Sequence, residues 1–228
     1  PVDLSAIISN FYARAGMVVL NNGGKGAVTF LGTVSPAGGN LKEPVTESTK
    51  KAARCFYGLE QNRADQKRYP AVNPIDSYSK YLEYPEIIEY LDKKIEKGWV
   101  DKVIKGKMLI RRGKEMADQI NILGDDGVPM SYHETFWKSE VLDFAFLQQD
   151  AFDEIDALCP IERQRYMLDL ILDISDMHFE FDNYEVCRDY FKNMINILRQ
   201  MNYSQFHSAQ FEDYRAQLTK LIKENGNS

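Results

Sequence analysis

Tyr69-Pro70-Ala71-Val72-Asn73-Pro74-Ile75-Asp76-Ser77-Tyr78-Ser79 is the stretch whose reading decides the fold. Its two prolines lack an amide donor and push Tyr69 and Asn73 towards extended backbone, so no helix can run through it. It presents one aromatic ring at its start and divides a mixed first part from a long helical second part. From Pro85 onward β-branched clusters are scarce and apolar residues recur at helical spacing. Pro85 suits a first helical position, and helices are expected over about 85–97 and 99–122, ending at Gly124-Asp125-Asp126-Gly127-Val128-Pro129. Ser131-Tyr132-His133-Glu134 reads as a capping box for the next helix. Pro160 opens another, with Met167, Leu170, Ile171, Ile174 and Met177 on one stripe. Asp182-Asn183-Tyr184-Glu185 caps a further helix that turns Val186, Tyr190, Met194, Ile197 and Met201 inward. A last amphipathic helix is expected from about Gln210 to Lys223, with Glu224 to Ser228 fraying.

Upstream of the dividing stretch the signals alternate. Leu4, Ile7, Ile8, Phe11 and Tyr12 give one amphipathic helix that stops at Gly16. Asn21-Asn22-Gly23-Gly24-Lys25-Gly26 has the glycines and lysine of a phosphate-cradling loop. Such a loop needs GxxxxGK[ST] running straight into a helix, whereas Ala27-Val28-Thr29-Phe30-Leu31 is strand-like, so the segment reads as a turn. Ser35 to Pro44 is a Pro/Gly loop, after which Thr46 is expected to cap a helix running to about Lys67. A domain boundary is expected near 81–85.

Composition narrows the function. The 228 residues are 44% apolar and 27% charged, which suits one or two globular domains with a sizeable core. A net charge of −6 argues against a nucleic-acid partner. No apolar run approaches the ~18 residues that span a bilayer, and no signal peptide is read at the start. Cys55, Cys159 and Cys187 are scattered and lack a CxxC, so a reduced, cytoplasmic compartment is expected. His133, His178 and His207 form no HExxH and no pair at metal-ligand spacing, which argues against a metal site. Asp125 and Asp126 lack the ligand spacing of a calcium loop. Pro1 is no initiator and a helix is already under way by Leu4, so the chain is expected to be a piece of a longer one.

Three blocks together resemble a known family. They are Phe11-Tyr12-Ala13-Arg14-Ala15-Gly16 with the later Val34-Ser35-Pro36-Ala37-Gly38-Gly39-Asn40-Leu41-Lys42-Glu43-Pro44-Val45-Thr46, then the dividing stretch, then Phe146-Leu147-Gln148-Gln149-Asp150-Ala151-Phe152-Asp153 closed by Cys159-Pro160. In order and spacing they are similar to the late part of a rotary ATPase nucleotide-binding subunit, nearest the catalytic A subunit of V/A-type ATP synthases. Tyr69 and Pro74 stand closer to F-type β subunits, while Ser35 to Gly39 and Leu147-Gln148-Gln149 favour the A subunit.

The resemblance implies a mainly α chain. A short β remnant of an α/β nucleotide-binding domain would fill 1–83, followed by an all-α C-terminal helical domain over 84–228. It implies ATP or ADP as the nucleotide, with Mg2+ ligands, phosphate loop and catalytic glutamate upstream of Pro1 and an arginine finger from the neighbouring B subunit. It implies that Tyr69 and Phe152 stack on adenine and that Gln149, one turn before Phe152, can hydrogen-bond the adenine edge. By itself Phe152 reads as a core residue. Closing the helical domain would bring Phe152 towards Tyr69. Gly38, Gly39 and Asn40, and the turn Gly124 to Pro129, would face the central rotor stalk. The chain alone would be inactive, without nucleic-acid binding or membrane insertion, and peripheral to the membrane within the complex. A non-catalytic helical protein-interaction module, with Tyr69 as a loop anchor, is the competing reading.

Overall fold

The computed structural model describes residues 3–227; Pro1, Val2 and Ser228 lie outside the described residues. The chain is mainly α, with a few short strands confined largely to its first part. α1 (Leu4–Tyr12) leads into a hairpin of β1 (Gly16–Val19) and β2 (Lys25–Val28), in antiparallel register from Gly16 opposite Val28 to Val19 opposite Lys25. The Asn21 to Gly26 segment is the hairpin turn, where Leu20 N donates to Gly24 O at 2.7 Å and Gly23 takes a φ of 81°. The strand begins earlier than its composition suggests. Pairing starts directly at a tight turn, so Lys25–Val28 finds β1 whereas Thr29 to Leu31 has no strand opposite, and Leu31 is 94% exposed.

α2 (Pro44–Ala52) is capped by Glu43 rather than Thr46. The Glu43 carboxylate accepts from the Thr46 hydroxyl and amide, both at 2.8 Å, and these bonds hold its pKa below the usual carboxylate range. Pro44 at the first helical position places Thr46 inside the first turn. Nor does the helix reach Lys67. Ala53 is extended, β3 (Cys55–Phe56) follows, and only the short α3 (Gln61–Asp65) is helical beyond it. The break is set from a distance, because β3 pairs with β4 (Tyr78–Ser79) and Leu59 bridges Val72.

The dividing stretch thus returns antiparallel along 55–60. Asn73, buried, organises it: its Oδ1 accepts from Ile75 N at 2.8 Å and Asp76 N at 3.1 Å, and its own amide donates to Gly58 O at 2.8 Å. Asn and Asp turns of this kind serve amides that a proline-broken backbone leaves unpaired.

The second part comprises α4 (Pro85–Lys94), α5 (Trp99–Leu123), α6 (Met130–Leu142), a π-helical turn (Asp143–Leu147), α7 (Ile161–Asp176), β5 (His178–Phe179), α8 (Tyr184–Asn202), α9 (Ala209–Asn225) and β6 (Gly226–Asn227). Asn183 caps α8 as expected, its side chain accepting from Val186 N. The capping box at Ser131 does not form. α6 starts at Met130 after an extended Pro129, and Glu134 turns inward to pair with Lys138 at 2.7 Å and accept from Phe179 N at 3.2 Å. The end of the chain does not fray through Asn227, because β6 pairs with β5.

Among the described residues every buried apolar side chain lies at or after Trp99, with Val141, Met167, Ile171, Phe191, Met194, Leu198 and Phe211 at the centre. The first part buries polar Thr46, Ser48, Arg63 and Asn73 and leaves α1 without a buried residue. Within the helical core α5 and α6 meet closely at Gly113, where an added Cβ would lie 2.1 Å from both Cβ and Oγ of Ser139. Gly113→Ala should therefore destabilise the chain by roughly 1–3 kcal/mol, overriding the ~1 kcal/mol that alanine gains over glycine in a helix. Denaturant titration checks this, and Ser139→Gly in the same chain should recover most of the loss.

Candidate functional site

One cavity of about 510 Å³ opens where the two parts of the chain meet. Tyr69, Gln149 and Phe152 all line it. Its first wall is Lys67, Tyr69 and Pro70. Tyr69 is half-exposed, with its hydroxyl donating to Ala64 O at 3.3 Å and its carbonyl accepting from Gln149 N at 3.0 Å. That backbone bond fastens the first wall to the second, which is Gln148 to Phe152 as the chain leaves the π-helical turn.

The second wall is held by carboxylates that cap its own amides. Asp150 Oδ1 accepts from Phe152 N at 2.9 Å, Asp156 Oδ2 from Asp150 N at 2.7 Å, and Asp153 Oδ1 from Asp156 N at 2.8 Å. Phe152 is 100% exposed and so is not the core residue that its type alone suggests. Its ring lines the cavity with its face uncovered by the rest of the chain. Gln149 Nε2 donates to Asp156 O at 2.7 Å. Its Oε1 is then the atom left to accept, the complement of an exocyclic amine on a base.

Beneath the loop lies Arg163, 1% exposed. It donates through Nη1 to Asn202 O at 2.9 Å, through Nε to Cys159 Sγ at 3.0 Å and through Nη2 to Asp156 Oδ1 at 3.3 Å. Burial raises the Asp156 carboxyl above the usual range, opposed by the Asp150 amide and then by the Arg163 charge. Asn202 Nδ2 donates to Ala145 O at 2.7 Å and ties the end of α8 to the π-helical turn.

A third wall escapes a reading of the sequence. Arg199, Asn202 and Tyr203, in and just after the last turn of α8, complete the cavity, and no local pattern marks them some fifty residues after Phe152. Another hollow, of about 550 Å³, runs along the outer face of α9 between charged side chains such as Glu212, Arg215 and Lys220, and offers a flat ligand no aromatic wall. The turns at Ala37–Gly39 and Asp125–Gly127 are exposed, the latter anchored by a 2.9 Å bond between His133 Nε2 and Asp125 O. Among the described residues no group of three or more His, Cys, Asp or Glu side chains is placed to hold a metal ion. Nor, among them, is any helix long and apolar enough to cross a membrane.

Residues 1–79 match the family model for the nucleotide-binding domain of the ATP synthase alpha/beta family, and residues 88–180 match that for the C-terminal domain of V and A type ATP synthase. The chain is 37% identical over 223 residues to the V-type ATP synthase alpha chain of Chlamydia abortus and 37% identical over 226 residues to that of Borrelia duttonii. These matches take in 98% of this chain but 37% and 36% of the two relatives, so the chain spans little more than a third of their length. A solved ATP synthase subunit, NeqB from Nanoarcheaum equitans, superposes with a TM-score of 0.56 over 78% of this chain and 40% of its own. At 20% identity that likeness speaks for the fold alone. The chain belongs to the ATP synthase alpha/beta family, on its V/A-type branch.

Proposed function

We propose that the chain forms the adenine side of the nucleotide pocket and the C-terminal helical domain of the catalytic A subunit of a V/A-type proton- or sodium-translocating rotary ATPase. The observation that carries this reading is that Tyr69, Gln149 and Phe152 line one cavity although eighty residues separate the first two. Its volume lies within the roughly 300–1,000 Å³ of small-molecule sites. Tyr69 and Phe152 would bracket the adenine ring, and Gln149 Oε1 would accept from its exocyclic amine. On this reading residues 1–83 are the end of the nucleotide-binding domain and 84–228 the helical domain.

Phosphoryl transfer also needs a phosphate cradle, a metal and a group that orients water. No GxxxxGK[ST] occurs in these 228 residues, so Mg2+ and the reacting phosphates would be held by other residues of the full-length subunit. The chain alone should not hydrolyse ATP. The exposed turns at 37–39 and 125–127 are the surfaces offered to the central rotor stalk, with the B subunit as the other neighbour. The subunit would sit in the cytoplasm, peripheral to the membrane through its complex.

Photolabelling tests the reading directly. Illumination of the full-length subunit with 2-azido-ADP should attach label to peptides containing Tyr69 or residues 148–153, with excess ADP protecting both. Label confined to other peptides would remove the adenine assignment and leave a helical interaction module.

A further inference from the structure

The walls of the cavity are joined by a feature that the proposed contacts do not use. Arg63, on α3, sets its guanidinium fork against Asp143, the first residue of the π-helical turn: Nη1 to Oδ2 at 2.9 Å and Nη2 to Oδ1 at 2.7 Å. Arg68, directly before Tyr69, forks onto Glu140 at 3.1 and 2.8 Å and reaches Asp143 Oδ2 at 2.5 Å. The same guanidinium lies 4.5 Å over the ring of Phe144. Glu140 and Asp143 stand three residues apart at the end of α6, which puts both carboxylates on one face. Two cations and two anions therefore neutralise one another. Their side chains are largely out of water, at 10% exposure for Arg63 and 6% for Asp143, where paired, charge-assisted bonds are strong and directional.

The cluster is not built for stability alone. The Nε–H groups of both arginines are buried without a partner, and apolar packing of similar volume commonly stabilises as well as buried ion pairs do. Unsatisfied groups of this kind are tolerated where placement matters more than stability. What the cluster places is the junction between walls. Arg68 fixes the backbone that runs into Tyr69, and Asp143 accepts the Gln148 amide through its carbonyl at 3.0 Å, directly before the Gln149-to-Tyr69 backbone bond. Two fastenings on either side of that junction leave the walls no axis about which to part. Phe152, by contrast, touches nothing that would hold its ring.

We infer that Arg63, Arg68, Glu140 and Asp143 are positioning residues that lock the Tyr69 and Gln149 walls into one body, so that the pocket adapts to a base by reorienting the Phe152 ring. The inference rests on the adenine reading proposed above. It replaces closure of the whole helical domain onto Tyr69 with a local motion at Phe152, whose ring is fully exposed.

The test uses the full-length subunit with ADP as the probe. Spin labels go on Gln66→Cys and Gln205→Cys, with the other accessible cysteines changed to serine. The label-to-label distance should be narrowly distributed and unmoved by ADP. Glu140→Gln and Asp143→Asn should broaden it and weaken ADP binding by roughly 2- to 30-fold. In the assembled ATPase the change should appear in KM rather than kcat, whereas mere loss of folded protein would lower kcat. Should Asp143→Asn fail to fold, Glu140→Gln carries the test. A distance that shifts when ADP binds overturns the inference. So does unchanged ADP affinity in a folded Glu140→Gln or Asp143→Asn variant when Phe152→Ala weakens binding. If Phe152→Ala is also without effect, the adenine reading itself falls and takes this inference with it.

Discussion

Phe152→Ala in the full-length subunit is expected to weaken adenine-nucleotide binding by roughly 5- to 150-fold, the equivalent of about 1–3 kcal/mol for one base stacked on one ring. The effect should be confined to binding. Phe152 is fully exposed and its backbone amide is held by Asp150 whatever the side chain, so the melting temperature should not move. Bond cleavage depends on groups at the phosphate end, so kcat at saturating nucleotide should change little while KM rises. Phe152→Trp, which keeps a flat face, should retain most of the affinity. Calorimetric titration with ADP reads the result, and affinity equal to that of the unsubstituted subunit would remove Phe152 from the site.

Arg163→Leu is expected to lower stability by about 3–5 kcal/mol, the usual consequence of stripping one partner from a buried pair. The loss is large because one guanidinium serves three acceptors, Asp156, Cys159 and the Asn202 carbonyl, with only 1% of its surface in water. The deficit should depend on pH with a definite sign. Burial already raises the Asp156 carboxyl, and Arg163 is one of the groups that lower it. Without that charge the folded-state pKa climbs further. A carboxyl raised on folding contributes stability that is fully present below its unfolded pKa and lost as pH rises through the folded one. The variant's deficit should therefore be smallest in acid and largest at neutral pH. Urea unfolding at several pH values measures it; a deficit that grows on acidification would show that Asp156 is not the group left unpaired.

The helical part was the more legible because its signals are local. Asn183 caps α8 through an amide three residues on. Tyr190, Met194 and Met201 are buried, with Ile197 partly so, because 3.6-residue spacing suffices to mark a face, although Val186, in the first turn, is 49% exposed. Failures arose where a distant partner decided. The helix expected to reach Lys67 breaks because Cys55 and Phe56 pair with Ser79 and Tyr78, residues that no window around Lys50 contains. Ser131 and Glu134 have the spacing of a capping box, yet Glu134 is drawn inward by Lys138 and by an amide forty-five residues away. The site divides in the same way. Tyr69, Gln149 and Phe152 could be named through family motifs, whereas Arg199 and Tyr203 enter the cavity only because α8 ends there, and Arg163 is buried from the first turn of α7 by its partners Asp156 and Asn202.

The pairing of Arg63 and Arg68 with Asp143 also sets an order of events during synthesis. Arg63 leaves the ribosome eighty residues before Asp143, and Arg68 seventy-five before it. At about 5–20 residues per second that interval is on the order of 4–16 s. For that time two side chains destined for burial stay hydrated, without the carboxylates that will neutralise them. The nascent first part cannot finish folding ahead of the second. The stretch from Arg63 to Tyr69 must wait in an open form until α6 emerges, and that waiting form is the state a ribosome-associated chaperone would meet.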